Sequence, residues 1–283
     1  MDAFIINLDR ATDRWSFIQT GFAMTDINPH RIPAIDGDIL DSRDKDYSAS
    51  LYRWFHGREI NLLEVGCYLS HVKAMRAFLA TDEPFAMICE DDIVIEPGLE
   101  EVLQGAFRYS KYWNILRLTG LTKGRPLKVA KPDNKHVLCL SLGRLKGAGA
   151  YLIDRTAAQV LVERLLPMRL PFDHAVDREW FYGLNSAYIL PFPISQTRKR
   201  FSSQIQTKSK PKFSFLRRLL STYPYQTVNE ATRWIFRLIH FAQMKIEVAE
   251  LRAWSASTGK GSPLPRTYSM NFAPKRSRTV GSE

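Results

Sequence analysis

Cysteine is scarce in this chain: Cys67, Cys89 and Cys139 are all it has among 283 residues. The number is odd and no two form a C-x-x-C pair, which argues against a disulfide scaffold and against a thiolate zinc site. Cys67 and Cys89 stand within apolar segments and read as small buried hydrophobes. An apolar run of about 18 residues, the least that spans a bilayer, is missing. The opening "MDAFIINLD" runs straight into a strand-like segment without a basic-then-apolar leader, so the expectation is a cytoplasmic protein. No Gly-x-Gly-x-x-Gly or Walker-type loop occurs, which leaves dinucleotide and P-loop readings without their phosphate cradle. No His-x-x-x-His or Ser/His/Asp arrangement stands out, and hydrolytic triads have little support.

Hydrophobic residues make up 45% of the chain and aromatics 12%, enough for a full core in one large domain with an appendage. Charge is spread unevenly. Residues 1–196 carry 23 Lys and Arg against 25 Asp and Glu, a net of −2. Residues 197–283 carry 17 against 4, a net of +13, which accounts for the overall +11. The last third is therefore a separate problem from the rest.

Along residues 1–196 strand-like and helix-like patterns alternate. "AFIINLDR" and "HRIPAIDG" read as strands. "TDRWSFIQTGFAM" reads as a helix with Thr12 as its N-cap. "LLEVGCYLSHVKAMRAFLA" has helical spacing in its second half, with Ser70 as the cap. "PFAMIC" and "WNILRLTG" are strand-like, "GLEEVLQGAFRYS" is helical, and "GAGAYLIDRTAAQVLVERLLP" is a strand turning into a helix near Thr156. This alternation predicts an α/β fold with a mostly parallel central sheet.

The sharpest signal is "FAMICEDDIVIEPG" at residues 85–98, where an apolar run meets Glu90, Asp91 and Asp92. Adjacent carboxylates in a partly desolvated place repel one another unless a cation relieves them. Ligands of open α/β sheets sit beyond the carboxyl ends of the strands. Alternation puts Glu90 and Asp92 on one side of an extended chain, offering the hard oxygens that Mg²⁺ or Mn²⁺ prefers. The alternative is an exposed acidic turn, which the strength of the apolar lead-in disfavours.

The segments "INLDRATDR", "EVGCYLSHVKAMRAFL", "ICEDDIVI", "ILRL", "GAGAYLIDRTAA" and "LPFDHAVD" occur in an order that resembles the family 25 glycosyltransferases, the lipopolysaccharide and lipooligosaccharide β-galactosyltransferase-like group. The likeness covers most of residues 4–196. It implies a GT-A-like nucleotide-sugar-binding fold, a UDP-hexose donor and an oligosaccharide or glycolipid acceptor. It also makes Glu90-Asp91-Asp92 the counterpart of an Asp-x-Asp motif, with Glu90 and Asp92 holding Mn²⁺ or Mg²⁺ against the donor diphosphate.

Further residues follow from the same likeness, each beside a plainer reading. Asn7, Arg10 and Arg14 are expected at the donor, guanidinium forks suiting phosphate oxygens; the plainer reading is a solvated helix face. Asp36 is expected near the nucleoside, or in a simple Asp-Gly turn. Ser70 and His71 match the family's Ser-His, although a lone histidine among apolar residues is commonly a core residue with its hydrogen bond satisfied. Asp173 is expected as the base that takes the acceptor proton, or as an acceptor anchor, or as a helix N-cap after Pro171; Asp177 follows the motif less closely. "KGAGAY" supplies small residues for close backbone approach, or simply a tight loop.

In the last third, Trp234, Ile235, Leu238, Ile239, Ala242, Ile246 and Ala249 form a stripe at helical spacing, with Arg233, Arg237 and Lys245 beside it. Such a helix suits an anionic membrane surface; docking of the stripe on the catalytic domain is the alternative. Nucleic acid is not expected, since no recognised module accompanies the charge. The sequence thus predicts a GT-A-like domain at 1–196 and a basic, partly helical region at 197–283 with a disordered end past Ala256. The expected function is an inverting, metal-dependent hexosyltransferase, peripheral on the cytoplasmic face of the inner membrane. A divalent-metal phosphotransferase or phosphatase, and a catalytically silent relative that only binds, are the rival readings.

Overall fold

The computed structural model describes residues 1–41, 45–196 and 210–258. The elements, in order, are β1 (Asp2–Asn7), α1 (Thr12–Phe22), β2 (Asn28–Pro33), α2 (Ala49–His56), α3 (Leu62–Leu79), β3 (Phe85–Glu90), β4 (Ile93–Ile95), α4 (Leu99–Phe107) and β5 (Ile115–Arg117). They continue with β6 (Pro126–Ala130), β7 (Val137–Ser141), β8 (Ala150–Asp154), α5 (Arg155–Arg164), α6 (Phe172–Val176), β9 (Ser186–Leu190) and β10 (Ile194–Gln196). After the undescribed residues 197–209 come α7 (Phe215–Leu220) and α8 (Thr222–Thr258).

Eight strands form one sheet in the order β2-β1-β3-β8-β5-β9-β7-β6, and β4 pairs with β10 in a second, two-stranded sheet. In the large sheet only β7 and β8 oppose the common direction. The expected α/β fold with a mostly parallel sheet is the one observed. β1 and β3 are covered on both faces, which is why each is a continuous apolar run. Ala3, Ile5, Met87 and Cys89 enter one core; Phe4, Ile6, Ala86 and Ile88 enter the other. The period of two along each strand separates these sets. Each fully buried aliphatic side chain contributes about 1.5–3 kcal/mol.

Several local expectations are corrected. Ala11, not Thr12, is the N-cap of α1, and no side chain caps it. Helix α3 starts far earlier than expected: the Asn61 side chain caps it at Leu63 N–H, and Ser70 lies in its interior. Most of α3 is buried, on more than one face, so no amphipathic stripe marked its first half. Gly66 lets it come that close, because a Cβ there would lie 2.5 Å from the Ile35 carbonyl oxygen. Helix α5 is capped by Asp154, whose carboxylate accepts from Ala157 N–H at 2.7 Å, just ahead of the expected start. Strand β3 ends at Glu90 and the chain turns at Asp91 and Asp92, so the alternation argument for Glu90 and Asp92 does not apply.

In the C-terminal helix the apolar stripe is exposed, so the alternative in which that stripe docks on the catalytic domain is not the arrangement found. Among its residues 222–250, Thr222, Asn229, Arg233, Arg237, Met244 and Val248 are buried, spaced by four or seven residues, while the apolar stripe faces outward. Arg237 is 5% exposed; its Nε and Nη2 donate to the Glu179 carboxylate at 2.6 and 2.8 Å. Its Nη2 also meets Asp177 Oδ1 at 3.0 Å, and its Nη1 donates to the Ser141 and Gly143 carbonyls. Arg233 pairs with Asp177 Oδ2 at 3.2 Å and with Glu230. The helix therefore docks through these arginines and through Met244 and Val248, not through its exposed apolar stripe. Nearly all of the basic tail expected past Ala256 lies outside the described residues.

Candidate active site

The carboxyl ends of β1 and β3 lie side by side, with Ile6 paired to Glu90. The middle carboxylate of the triplet is tied down there. Asp91 Oδ2 accepts from Asn7 Nδ2 at 2.7 Å, and its Oδ1 pairs with Arg14 Nη1 at 3.1 Å. Asn7 Oδ1 in turn accepts from Arg31 Nε at 2.8 Å. Burial, above all, pushes both Glu90 and Asp92 up to about 7. Asp91 and Asp173 add to the shift at Glu90; Glu90 and Asp91 add to it at Asp92. Arg14 opposes these effects without overcoming them.

Arg10 and Arg14 do not share a helical face, because α1 begins at Thr12. Arg10 instead pairs with Asp36 and reaches Asp38 at 3.7 Å. Asp36 sits in the turn after β2 and also accepts from Asp38 N–H at 3.1 Å. Ser70 is fully buried; its hydroxyl donates to the Gly66 carbonyl at 2.6 Å and accepts from Ile35 N–H at 2.8 Å. It fastens this turn to α3. His71 is also fully buried, stacked on Phe172 with ring centroids 3.9 Å apart, and its Nδ1 lies 3.2 Å from the Tyr151 hydroxyl. Burial lowers it to about 3, so the ring is neutral at pH 7.

Asp173 reaches the same floor from the first turn of α6, whose N-cap is Pro171, so it is not the cap itself. Its Oδ2 accepts from Gly147 N–H at 3.0 Å and its Oδ1 from His174 N–H at 2.9 Å. Burial alone would raise its pKa, but the His174 charge, those N–H groups and Arg117 together hold it below the ordinary carboxylate value. Gly147 sits at φ +87°, and a Cβ there would lie 2.8 Å from Leu121 Cγ. The small residues of "KGAGAY" thus place a backbone donor on Asp173. Asp177, by contrast, faces Arg233 and Arg237 of α8 and is not on this floor. His174 instead packs edge-on to His56 of α2 at 5.2 Å.

The structure thus brings Glu90, Asp92, Asp173 and His71 together, with Asn7 and Arg14 one hydrogen-bonded step behind through Asp91. Arg10 and Asp36 form a separate pair at the sheet's edge. The donor set suits a hard divalent cation. Glu90 and Asp92 are two carboxylates whose charged forms burial and mutual repulsion disfavour, and the nearby Arg14 is committed to Asp91. Sequence reasoning missed Arg117, which is 2% exposed at the end of β5 and donates to the Gly147 and Asp173 carbonyls. An arginine inside the apolar "ILRL" was the available signal. It missed Tyr52 and Glu64 as well, hydrogen-bonded to each other from α2 and α3, with Glu64 raised by burial.

Residues 1–176 match the family described as Glycosyltransferase family 25 (LPS biosynthesis protein). The chain belongs to glycosyltransferase family 25. Relatives include a glycosyltransferase 25 family member of Aedes aegypti, 27% identical over 187 residues, covering 61% of this chain and 30% of the relative. A second, from Anopheles gambiae, is 29% identical over 100 residues, covering 33% of this chain and 17% of the relative. A third, from Bos taurus, bears the name "Probable inactive glycosyltransferase 25 family member 3" and is 26% identical over 188 residues, with coverages of 61% and 30%. The chain spans less than a third of the length of these relatives. Among solved structures, a galactosyltransferase LgtC in complex with donor and acceptor sugar analogs is 13% identical, with a TM-score of 0.32 over 56% of this chain and 60% of that one. At that level the likeness decides nothing about the site. The family 25 match does cover the whole floor built above, from Asn7 to Asp173.

Proposed function

We propose that this family 25 chain is an inverting, metal-dependent glycosyltransferase that moves a hexose onto a lipopolysaccharide-type oligosaccharide, with UDP-galactose as the expected donor. One observation carries the reading: Glu90 and Asp92 at the end of β3 share a floor with Asp173 of α6, whose charge raises Glu90. Glu90 and Asp92 would hold Mn²⁺ or Mg²⁺, which supplies charge neutralisation to the departing nucleoside diphosphate. Asn7 and Arg14 fix the carboxylate triplet through Asp91 and so set the direction of Asp92. Arg10, 44% exposed and paired with Asp36, stands where a nucleotide could take over its fork.

Inversion requires a base on the far side of the sugar from the leaving group. Asp173 suits that role because it is ionised across the neutral range, and its two N–H donors fix its orientation. Asp173→Asn keeps the hydrogen-bond acceptor at one oxygen but cannot take a proton. It should lower kcat by about 10²–10⁴-fold while leaving donor affinity within about twofold, measured by transfer from UDP-galactose to a lipooligosaccharide acceptor. Full activity in Asp173→Asn would remove it from the mechanism.

The chain is proposed to work at the cytoplasmic face of the inner membrane. In support, α8 turns Ile235, Ile239 and Ile246 outward at 59%, 52% and 60% exposure, and α7 adds Phe215, Leu216 and Leu220. A silent, purely binding role is the second reading, favoured by the name of the bovine relative; turnover of UDP-galactose separates the two.

A further inference from the structure

Cys67, which the sequence reads as a small buried hydrophobe, is largely shielded within α3 and stands beside the acidic floor. It lies on α3 one turn before His71, so the two side chains share a helical face. Cys67 Sγ, a ring nitrogen of His71 and a Glu90 carboxylate oxygen lie within 4.8 Å of one another. His71 Nε2 is buried without a hydrogen-bond partner, and its nearest carboxylate oxygen, Glu90 Oε1, is 3.6 Å away. Because Tyr151 engages Nδ1, Nε2 is the ring nitrogen free to serve as a ligand. In a tetrahedral site with nitrogen and oxygen ligands at about 2.0–2.1 Å and sulfur at about 2.3 Å, neighbouring ligand atoms stand about 3.3–3.6 Å apart. The His71–Glu90 edge, 3.6 Å, is already at that length, and Cys67 Sγ lies within 4.8 Å of both.

We propose that Cys67, His71 and Glu90 form a second, thiophilic metal site on the cleft floor, taking Zn²⁺ in preference to Mn²⁺ or Mg²⁺. Sulfur and imidazole select the softer ion, whereas the all-oxygen pair Glu90 and Asp92 selects the harder one. Glu90 belongs to both sets, so the two ions exclude each other. Zinc would therefore act as an inhibitor that withdraws Glu90 from the cation of the donor diphosphate. This consequence rests on the proposed function; the site itself does not.

Two measurements on the full-length protein test the site. Cobalt, a spectroscopic substitute for zinc, should give a thiolate-to-metal charge-transfer band that added Zn²⁺ abolishes and that Cys67→Ser lacks. In the unaltered protein, Zn²⁺ should slow alkylation of Cys67 at least tenfold, located by peptide mapping, while Mn²⁺ should not. Absence of the band in the unaltered protein, its persistence in Cys67→Ser, or no protection by Zn²⁺ would each overturn the assignment. Neither readout involves a nucleotide, so failure of UDP to bind leaves this test intact. If the site stands and UDP binds with Mn²⁺, Zn²⁺ should weaken that binding at lower concentration in the unaltered protein than in Cys67→Ser.

Discussion

Glu90 and Asp92 are carboxylates that the fold would sooner keep protonated, and that has a measurable consequence. Both have folded-state values of about 7 against ordinary values of 4.5 and 3.8. A carboxylate raised on folding stabilises the protein fully below its unfolded value, and that contribution is lost as pH rises through the folded one. The metal-free protein should therefore lose stability between about pH 4 and 7. Glu90's side chain is 30% exposed, which reduces the effect to about 1–2 kcal/mol per group. Mn²⁺ should restore that loss at pH 8 and do little at pH 5. Thermal unfolding with and without Mn²⁺ at the two pH values checks this; an equal Mn²⁺ effect at both would contradict it. The triplet and Asp173 were legible in the sequence because each stands at the edge of an apolar run. Arg117 and Cys67 were not, since what they touch depends on strands and helices brought together from far along the chain.

Among the elements, α8 is held by a charge network around Arg233 and Arg237 together with the apolar Met244 and Val248. Two arginines, Asp177 and Glu179 are all at most 6% exposed at the side chain and pair with one another. Removing one partner of such a set strands the others. Arg237→Ala should therefore cost about 3–5 kcal/mol, read from urea unfolding. A cost below about 1 kcal/mol would mean that α8 is not docked in solution as it is here. The sequence showed the helix and its apolar stripe clearly. It hid the choice of buried face, because the usual assumption that the apolar side faces inward fails where a polar groove is waiting. The early start of α3 escaped for a related reason: extensive burial on several of its faces blurs the helical period.

For the molecule as a whole, the consequence of that choice of face is a broad apolar surface on α7 and α8, made chiefly of Phe215, Leu216, Leu220, Trp234, Ile235 and Ile239. No helix among the described residues is long and apolar enough to cross a membrane. Trp234→Glu combined with Ile235→Glu should lower partitioning onto phosphatidylglycerol-containing vesicles at least about tenfold, given about 1.5–3 kcal/mol per buried apolar side chain. Activity on a soluble acceptor should be unchanged, since both side chains face outward. Vesicle co-sedimentation decides it, and unchanged partitioning would end the membrane reading.

The acidic end of β3 is proposed to bind a cation and, through it, a nucleoside diphosphate. Isothermal titration of the purified protein with UDP, with and without Mn²⁺, tests it most directly. Binding should require Mn²⁺ and disappear in Asp92→Ala. Binding that is indifferent to Mn²⁺, or that survives in Asp92→Ala, would contradict it.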